Sequence, residues 1–248
     1  MEIWHIPVVF IAGIIAGFIN TVAGGGSLLT LPILIFLGLP TAVANGTNRI
    51  AIIAQCFSAV AGFKRKGVSN FKLSLLLSVP GILGAVIGAY IAIDISDILF
   101  KRVLAIIMLL VLGLILWNPR QDSNGNSSSL GRNQLIITMI VFFFVGIYGG
   151  FIQVGVGFII IAALTTITGL NLVETNSHKV FIAGVYTVFA LIVFALNGKV
   201  CWTIGLCLAA GMGLGGWIGS HWAVAKGERW IRLVLTICVI AMVIKLIV

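Results

Sequence analysis

The chain has 248 residues, 60% of them hydrophobic and 8% charged, with a formal net charge of +9 and a mean hydropathy of +1.22. A soluble domain carries about 25% charged residues to cover its surface, which excludes a water-soluble globule at this length. Recurring apolar runs of about 18 residues or more match a bilayer core of about 30 Å, so the chain reads as a polytopic α-helical membrane protein.

The runs are too long and too uniform for a β-barrel, and too hydrophobic for disorder. In this setting the positive charge points to cytoplasmic loops, not to nucleic acid. Breakers divide the chain into ten helical segments near 4–22, 27–37, 41–63, 70–93, 97–117, 133–153, 158–168, 172–196, 200–225 and 228–248. The first lacks a basic leader, so it is expected to stay as a helix and not act as a cleaved signal. The 30 glycines exceed the average share of about 7%, as close helix packing or helix breaking requires. The cysteines Cys56, Cys201, Cys207 and Cys238 sit singly in apolar segments and read as packing residues.

A polar stretch, 118–132, rich in Asn, Ser and Gly, separates a first repeat (1–117) from a second (133–248). Gly13, Gly17, Asn20 and Gly24 match Gly146, Gly150, Gln153 and Gly157. Further on, Gly38, Asn45, Gly67, Gly84 and Gly88 match Gly169, Asn176, Gly198, Gly215 and Gly219. The expected fold is all-α, with two homologous repeats of about five helical segments, each containing a glycine-broken short helix. Segments 27–37 and 158–168, at about 16 Å for eleven residues, are half-spans that either cross with an extended flank or re-enter. If they cross, the repeats are inverted. Lys64, Arg65, Lys66, Lys72, Arg120, Arg132, Lys226, Arg229 and Arg232 then share one side, with Lys101, Arg102 and Lys199 opposite. The positive-inside rule favours that inverted arrangement, with the N-terminus outside.

The stretch Gly17 to Pro32 carries the strongest chemical signal. Gly24, Gly25 and Gly26 interrupt the helix, and Ser27 is placed to cap the short helix that follows. Exposed N–H groups at such a break suit an anion, and glycine allows close approach to the backbone. In the second half Gly155 and Gly157 are expected to form the matching break, with Gln153 just before them. Paired interruptions mark the central site of a repeat-built transporter.

After each short helix comes a polar cluster: Asn45-Gly46-Thr47-Asn48-Arg49 and Asn176-Ser177-His178-Lys179. Arg49 and Lys179 either lie deep and bind an anion, or snorkel to the interface. His178 is a candidate proton carrier or a helix-end cap, with Glu174 four residues before it as a partner. Ser96-Asp97 reads as an N-cap. Trp4, Trp117, Trp202, Trp222 and Trp230 read as interface anchors, and Lys64-Arg65-Lys66 as an orientation signal that also meets lipid headgroups. Neither a catalytic triad nor a paired-carboxylate motif is present, so no enzymatic activity, cofactor or metal is expected. The expected substrate site comprises Asn20, Thr21, Gly24, Gly25, Gly26, Ser27, Asn45, Thr47, Asn48, Arg49, Gln153, Gly155, Gly157, Asn176, His178 and Lys179. The partners in view are a small anion, membrane lipid and further copies of the chain.

These residues resemble the TauE/SafE family of sulfite and organosulfonate exporters over nearly the whole chain. Ala16 to Asn20 with Gly24 to Pro32, and Ala44 to Arg49, resemble the first-repeat signature. Gly146 to Gly157, followed by Thr175 to Lys179, resembles the second. The resemblance implies a transporter of sulfur-containing oxyanions, secondary and proton-coupled, in the bacterial inner membrane; an anion channel or a non-transporting scaffold subunit are the alternatives. Members of this branch often carry an acidic residue where this chain has Asn20, and an aspartate where it has Gly149. The departures argue against a proton-carrying carboxylate at either position.

Overall fold

The computed structural model describes residues 5–68, 71–100 and 131–226, together with residues 102, 103, 106, 230 and 233. Segment 97–117 beyond residue 100, most of the linker 118–132 and segment 228–248 therefore lie outside the described residues, apart from those few positions. Lys101, Arg120, Arg229, Arg232, Trp4, Trp117 and Cys238 lie outside as well.

Eight helices are described: α1 (His5–Val22), α2 (Ser27–Phe36), α3 (Thr41–Arg65), α4 (Phe71–Asp94), α5 (Arg132–Phe151), α6 (Val156–Thr168), α7 (Leu172–Leu196) and α8 (Trp202–Lys226). Four of them, α4, α5, α7 and α8, are long and apolar enough to cross a membrane. Helix α3 has the length, at 25 residues, but its first turns carry Asn45, Thr47, Asn48 and Arg49, all buried. Buried polar residues and exposed apolar ones invert the arrangement of a water-soluble protein. On α4, Leu75, Val79, Leu83 and Ile87 form an exposed stripe at four-residue spacing, and Ile136, Ile140 and Phe144 do the same on α5. Such stripes face lipid.

Glycine sets which helices pair. An added Cβ on Gly17 would stand 2.3 Å from the Met212 carbonyl oxygen, and one on Gly215 would stand 2.1 Å from that of Ile14. Between α4 and α5, Gly84 would meet the Phe143 oxygen at 2.1 Å and Gly146 the Gly81 oxygen at 2.3 Å. Backbones this close gain dispersion along their whole length, the packing mode that lipid permits where hydrophobic segregation offers no drive. Helix α1 of the first half thus pairs with α8 of the second, and α5 of the second with α4 of the first.

Contacts also fix direction. Helices α1 and α3 run parallel to α8: Ile6 meets Cys207 and Phe18 meets Gly219, while Thr47 meets Cys201 and Gly62 meets Ser220. Helices α4, α5 and α7 are mutually parallel, with Gly81 near Gly146, Gly88 near Phe151, Ser74 near His178 and Gly81 near Tyr186. Helix α7 is antiparallel to α3, since Gly46 meets Phe194 and Cys56 meets Gly184. Two oppositely directed bundles result, α1–α3–α8 and α4–α5–α7. Helix α2 returns along α3 from the middle of the bundle toward the start of α3, with Thr30 bonded to Asn48 at 2.7 Å. These directions bring Lys64, Arg65, Lys66, Lys72, Arg132 and Lys226 to one end of the bundle, and Lys199 to the other. At the basic end Arg65 lies 4.9 Å from the Trp217 ring centroid.

A methyl group introduced between α4 and α5 has nowhere to go. Gly84→Ala is expected to destabilise the protein by about 1–3 kcal/mol, the usual cost of overpacking, and to lower its detergent melting temperature. Gly213→Ala, whose Cβ would find its nearest neighbour at 3.4 Å, is expected to leave the melting temperature unchanged.

Candidate functional site

The first break lies where the glycine triple places it. Helix α1 ends at Val22, Gly24 takes φ +87°, and α2 begins at Ser27. Gly26 folds back against α1, where a Cβ would stand 2.3 Å from the Ala16 oxygen. Its N–H donates to Asn20 Oδ1 at 3.3 Å. Ser27 is not the cap: it is the first residue of α2, the cap position is Gly26 in helical conformation, and no side chain caps this end. The hydroxyl of Ser27 instead belongs to a residue that lines the central cavity.

The second break begins earlier than the glycines alone suggest. Gln153 takes φ +62°, Gly155 is left-handed at φ +70°, and Gly157 already lies inside α6. A left-handed backbone at a non-glycine residue stores strain and is tolerated where surrounding bonds enforce it. Here Gln153 Oε1 accepts from Arg49 Nη1 at 3.1 Å, and its Nε2 donates to Thr187 Oγ1 at 2.6 Å. The two breaks touch. A Cβ on Gly24 would stand 2.6 Å from the Gly157 carbonyl carbon, and one on Gly157 would stand 2.4 Å from the Gly24 Cα.

Arg49 and Lys179 do not snorkel. Arg49 is fully buried and Lys179 is 2% exposed. Each holds the C-terminal end of a broken helix. Lys179 Nζ donates to the carbonyls of Asn20 (3.0 Å) and Thr21 (2.8 Å) and to Asn176 Oδ1 (2.6 Å), while Asn176 Nδ2 donates to the Val22 carbonyl at 3.0 Å. Opposite, Arg49 donates to the carbonyls of Gly149 (3.1 Å) and Gly150, and to Asn45 Oδ1 (3.5 Å). Asn45 Nδ2 donates to the Phe151 carbonyl at 2.6 Å. Three consecutive carbonyls at each helix end are thereby satisfied by one cation and one asparagine. The physical cause is plain: the end of a helix carries unpaired carbonyls and a partial negative charge, which a cation complements. The Phe194 ring, 4.6 Å from the guanidinium, covers Arg49 further.

A cavity of ≈ 10 Å³, about the space of one water-sized sphere, opens between the breaks. Asn20, Ser27, Gln153, Gly157 and Lys179 line it, all from the expected set, and Gln55 and Cys56 of α3 join them. Gln55 ties the α1 side together, accepting from Asn20 Nδ2 at 2.7 Å and donating to Thr21 Oγ1 at 2.6 Å. Gln55, Thr187 and Tyr186 carry no sequence-based expectation, and Cys56 reads from sequence only as a packing residue. A lone amide such as Gln55 within the apolar run 50–60 was the available signal.

The remaining expected residues serve elsewhere. Thr47 Oγ1 accepts from the Cys201 N–H at the start of α8, at 2.9 Å, and Asn48 holds Thr30 of α2. His178 pairs with Ser74 Oγ at 2.7 Å, not with Glu174, whose N–H is capped by Asn171 at 2.9 Å. Ser96 caps its helix through the Leu99 N–H at 3.4 Å, whereas Asp97 accepts from Thr41.

Comparison with known proteins extends over the same elements. The family described as Sulfite exporter TauE/SafE matches residues 9–246. A probable membrane transporter protein (ORF9) of a Sinorhizobium species is 31% identical over 238 residues, 96% of this chain and 90% of its own. One from Haemophilus influenzae is 29% identical over 242 residues, 98% and 94% respectively. The probable membrane transporter protein YfcA of Escherichia coli is 30% identical over 243 residues, 96% and 88%. No solved structure matches.

Removing the ammonium of Lys179 strands the Thr21 carbonyl and Asn176 Oδ1, while the Asn20 carbonyl keeps the Gly24 N–H at 2.9 Å. Lys179→Met is expected to destabilise the protein on the order of 1–3 kcal/mol in detergent unfolding. Lys66→Met, at an exposed loop position, should change stability by no more than about 0.5 kcal/mol.

Proposed function

The chain belongs to the TauE/SafE family, an integral membrane transporter, and on that premise we propose that it carries small sulfur-containing oxyanions such as sulfite or organosulfonates by secondary transport. The observation that carries the reading is the cavity between the two breaks, lined by Lys179 and by Gln153, which in turn bonds Arg49. The partners of these cations among the described residues are carbonyl and amide oxygens, none a carboxylate. Two positive charges in an apolar interior without a counter-ion favour an anion, because the ligand supplies the missing charge. Asn20, Ser27, Gln153 and Lys179 contact it, with the backbone of Gly25, Gly26 and Gly157 alongside. Thr21, Asn45, Asn176 and Arg49 hold the helix ends in position. Protons are the proposed coupling ion and the bacterial inner membrane the proposed location, with the lysine-rich end cytoplasmic.

Two inverted repeats underlie this arrangement. In support, Gly38 and Gly67 take positive φ, as do Gly169 and Gly198, 131 residues later. Gly84 packs on Phe143 and Ile147 as Gly215 packs on Ile14 and Phe18. The partners in this last comparison lie 129 apart, so the register of the first helices differs by one helical turn from the match of Gly13 to Gly146. By the same register Gly24 corresponds to Gln153, and both are left-handed. The bodies that rock in alternating access are then α1–α3–α8 and α4–α5–α7, each borrowing a helix from the other half, and not the two sequence halves.

Full-length protein in proteoliposomes under an inward pH gradient is expected to accumulate labelled sulfite above its external concentration. Flux that only ever runs downhill would instead identify an anion channel. Ser27→Ala, which deletes a cavity hydroxyl, should weaken sulfite about tenfold or more, as loss of a hydrogen bond to a charged group does, without changing the melting temperature. Unaltered affinity would remove Ser27 from the site.

A further inference from the structure

We propose that the oxyanion is held off-centre, on the α5 side, by the Tyr186 hydroxyl and the Arg49 Nε–H. This rests on the oxyanion reading above and assigns the donors that it lacks.

The two sides of the centre differ in what they leave unused. On the α1 side the chemistry is saturated. Lys179 has three acceptors for its three N–H groups, and Gln55 both accepts and donates. On the α5 side, Arg49 Nε and Tyr186 Oη are the buried polar side-chain atoms that no described residue meets in good hydrogen-bond geometry, Gln153 being the nearest polar neighbour of the phenol. Arg49 is fully buried and Tyr186 is 1% exposed, so water does not reach them from outside. An unpaired donor in such a place is costly, and natural structures retain one where a ligand or an ordered water completes it.

Both orphan donors belong to one neighbourhood. Arg49 Nη1 bonds to the Gly149 carbonyl at 3.1 Å, and a Cβ on Gly149 would lie 2.8 Å from Tyr186 Oη. Gly149 has no side chain to supply the missing acceptor. On this proposal the ligand brings it, since an acceptor-rich group of negative charge suits a guanidinium N–H beside a phenol O–H. Gln153 stands between these donors and the central cavity: it lines the cavity, takes Arg49 Nη1, lies beside Tyr186, and keeps its left-handed backbone. Neither Arg49 nor Tyr186 lines the cavity itself, so the proposal requires the Gln153 side chain to turn aside for the ligand to reach both donors.

The test measures sodium sulfite binding to the full-length, detergent-purified protein by calorimetry, with melting temperatures recorded with and without sulfite. Tyr186→Phe preserves the ring and removes the hydroxyl. It is expected to weaken sulfite about tenfold or more and to leave the ligand-free melting temperature equal or raised, since an unpaired buried hydroxyl is deleted. Gly149→Ala, whose methyl group occupies the approach to Tyr186 Oη, is expected to weaken sulfite as well, and decides the matter should the phenylalanine variant fail to fold. Wild-type affinity in both variants overturns the subsite while leaving the oxyanion reading standing. A lowered ligand-free melting temperature of Tyr186→Phe with unchanged sulfite affinity also overturns it, marking a structural water. Absence of sulfite binding by the wild-type protein overturns the oxyanion reading and the subsite with it.

Discussion

A helix that stops inside a bilayer exposes carbonyls that no water can satisfy, and everything at the centre of this protein follows from that constraint. Helices α1 and α5 both stop there. Their last three carbonyls, Asn20 to Val22 and Gly149 to Phe151, take donors from the side, and all but Asn20, which also accepts the Gly24 N–H, depend on them. The donors come from long helices of the opposite half: Lys179 and Asn176 on α7 for α1, and Arg49 and Asn45 on α3 for α5. Neither half can bury its own broken helix alone.

The same constraint couples structure to transport. Cations recruited to cap helix ends leave positive charge uncompensated by any carboxylate among their partners, and the proposed anion would relieve it. Outside the centre the bundles are closed by glycine contacts between backbones, rigid and non-polar. Across the centre the two bundles meet through hydrogen bonds, a strained Gln153 and two touching glycine breaks. Packed backbone resists shear, whereas polar contacts can exchange one partner for another, so relative movement of the bundles would concentrate at the proposed site.

Much of this was legible in the chain. The breaks announced themselves because three consecutive glycines cannot continue a helix, and segment 172–196 was read with the boundaries the structure has. The cations and asparagines were found because polar residues are rare in an apolar sequence. Their depth was not legible, since a charge near the start of a helix can snorkel or be covered, and only the neighbouring helix decides. Ser27 was misjudged for a related reason: a serine after glycines reads as a cap, but the chain folds back tightly enough at Gly26 that the backbone bonds to Asn20 instead. The second break was placed late because Gln153, not a glycine, adopts the left-handed turn, a conformation enforced by Arg49 and Thr187 from distant parts of the sequence. Pairing of α1 with α8 and of α4 with α5 is a long-range property that spacing within either half could not reveal.

The exchange of helices between halves is tested most directly by splitting the chain within 118–130 and producing the two pieces separately and together. Produced together they should copurify as a one-to-one complex whose melting temperature approaches that of the intact protein, and each piece alone should aggregate. A first half that is monodisperse and cooperatively folded on its own would contradict the account, because α1 would then have closed its broken end without Lys179 and Asn176.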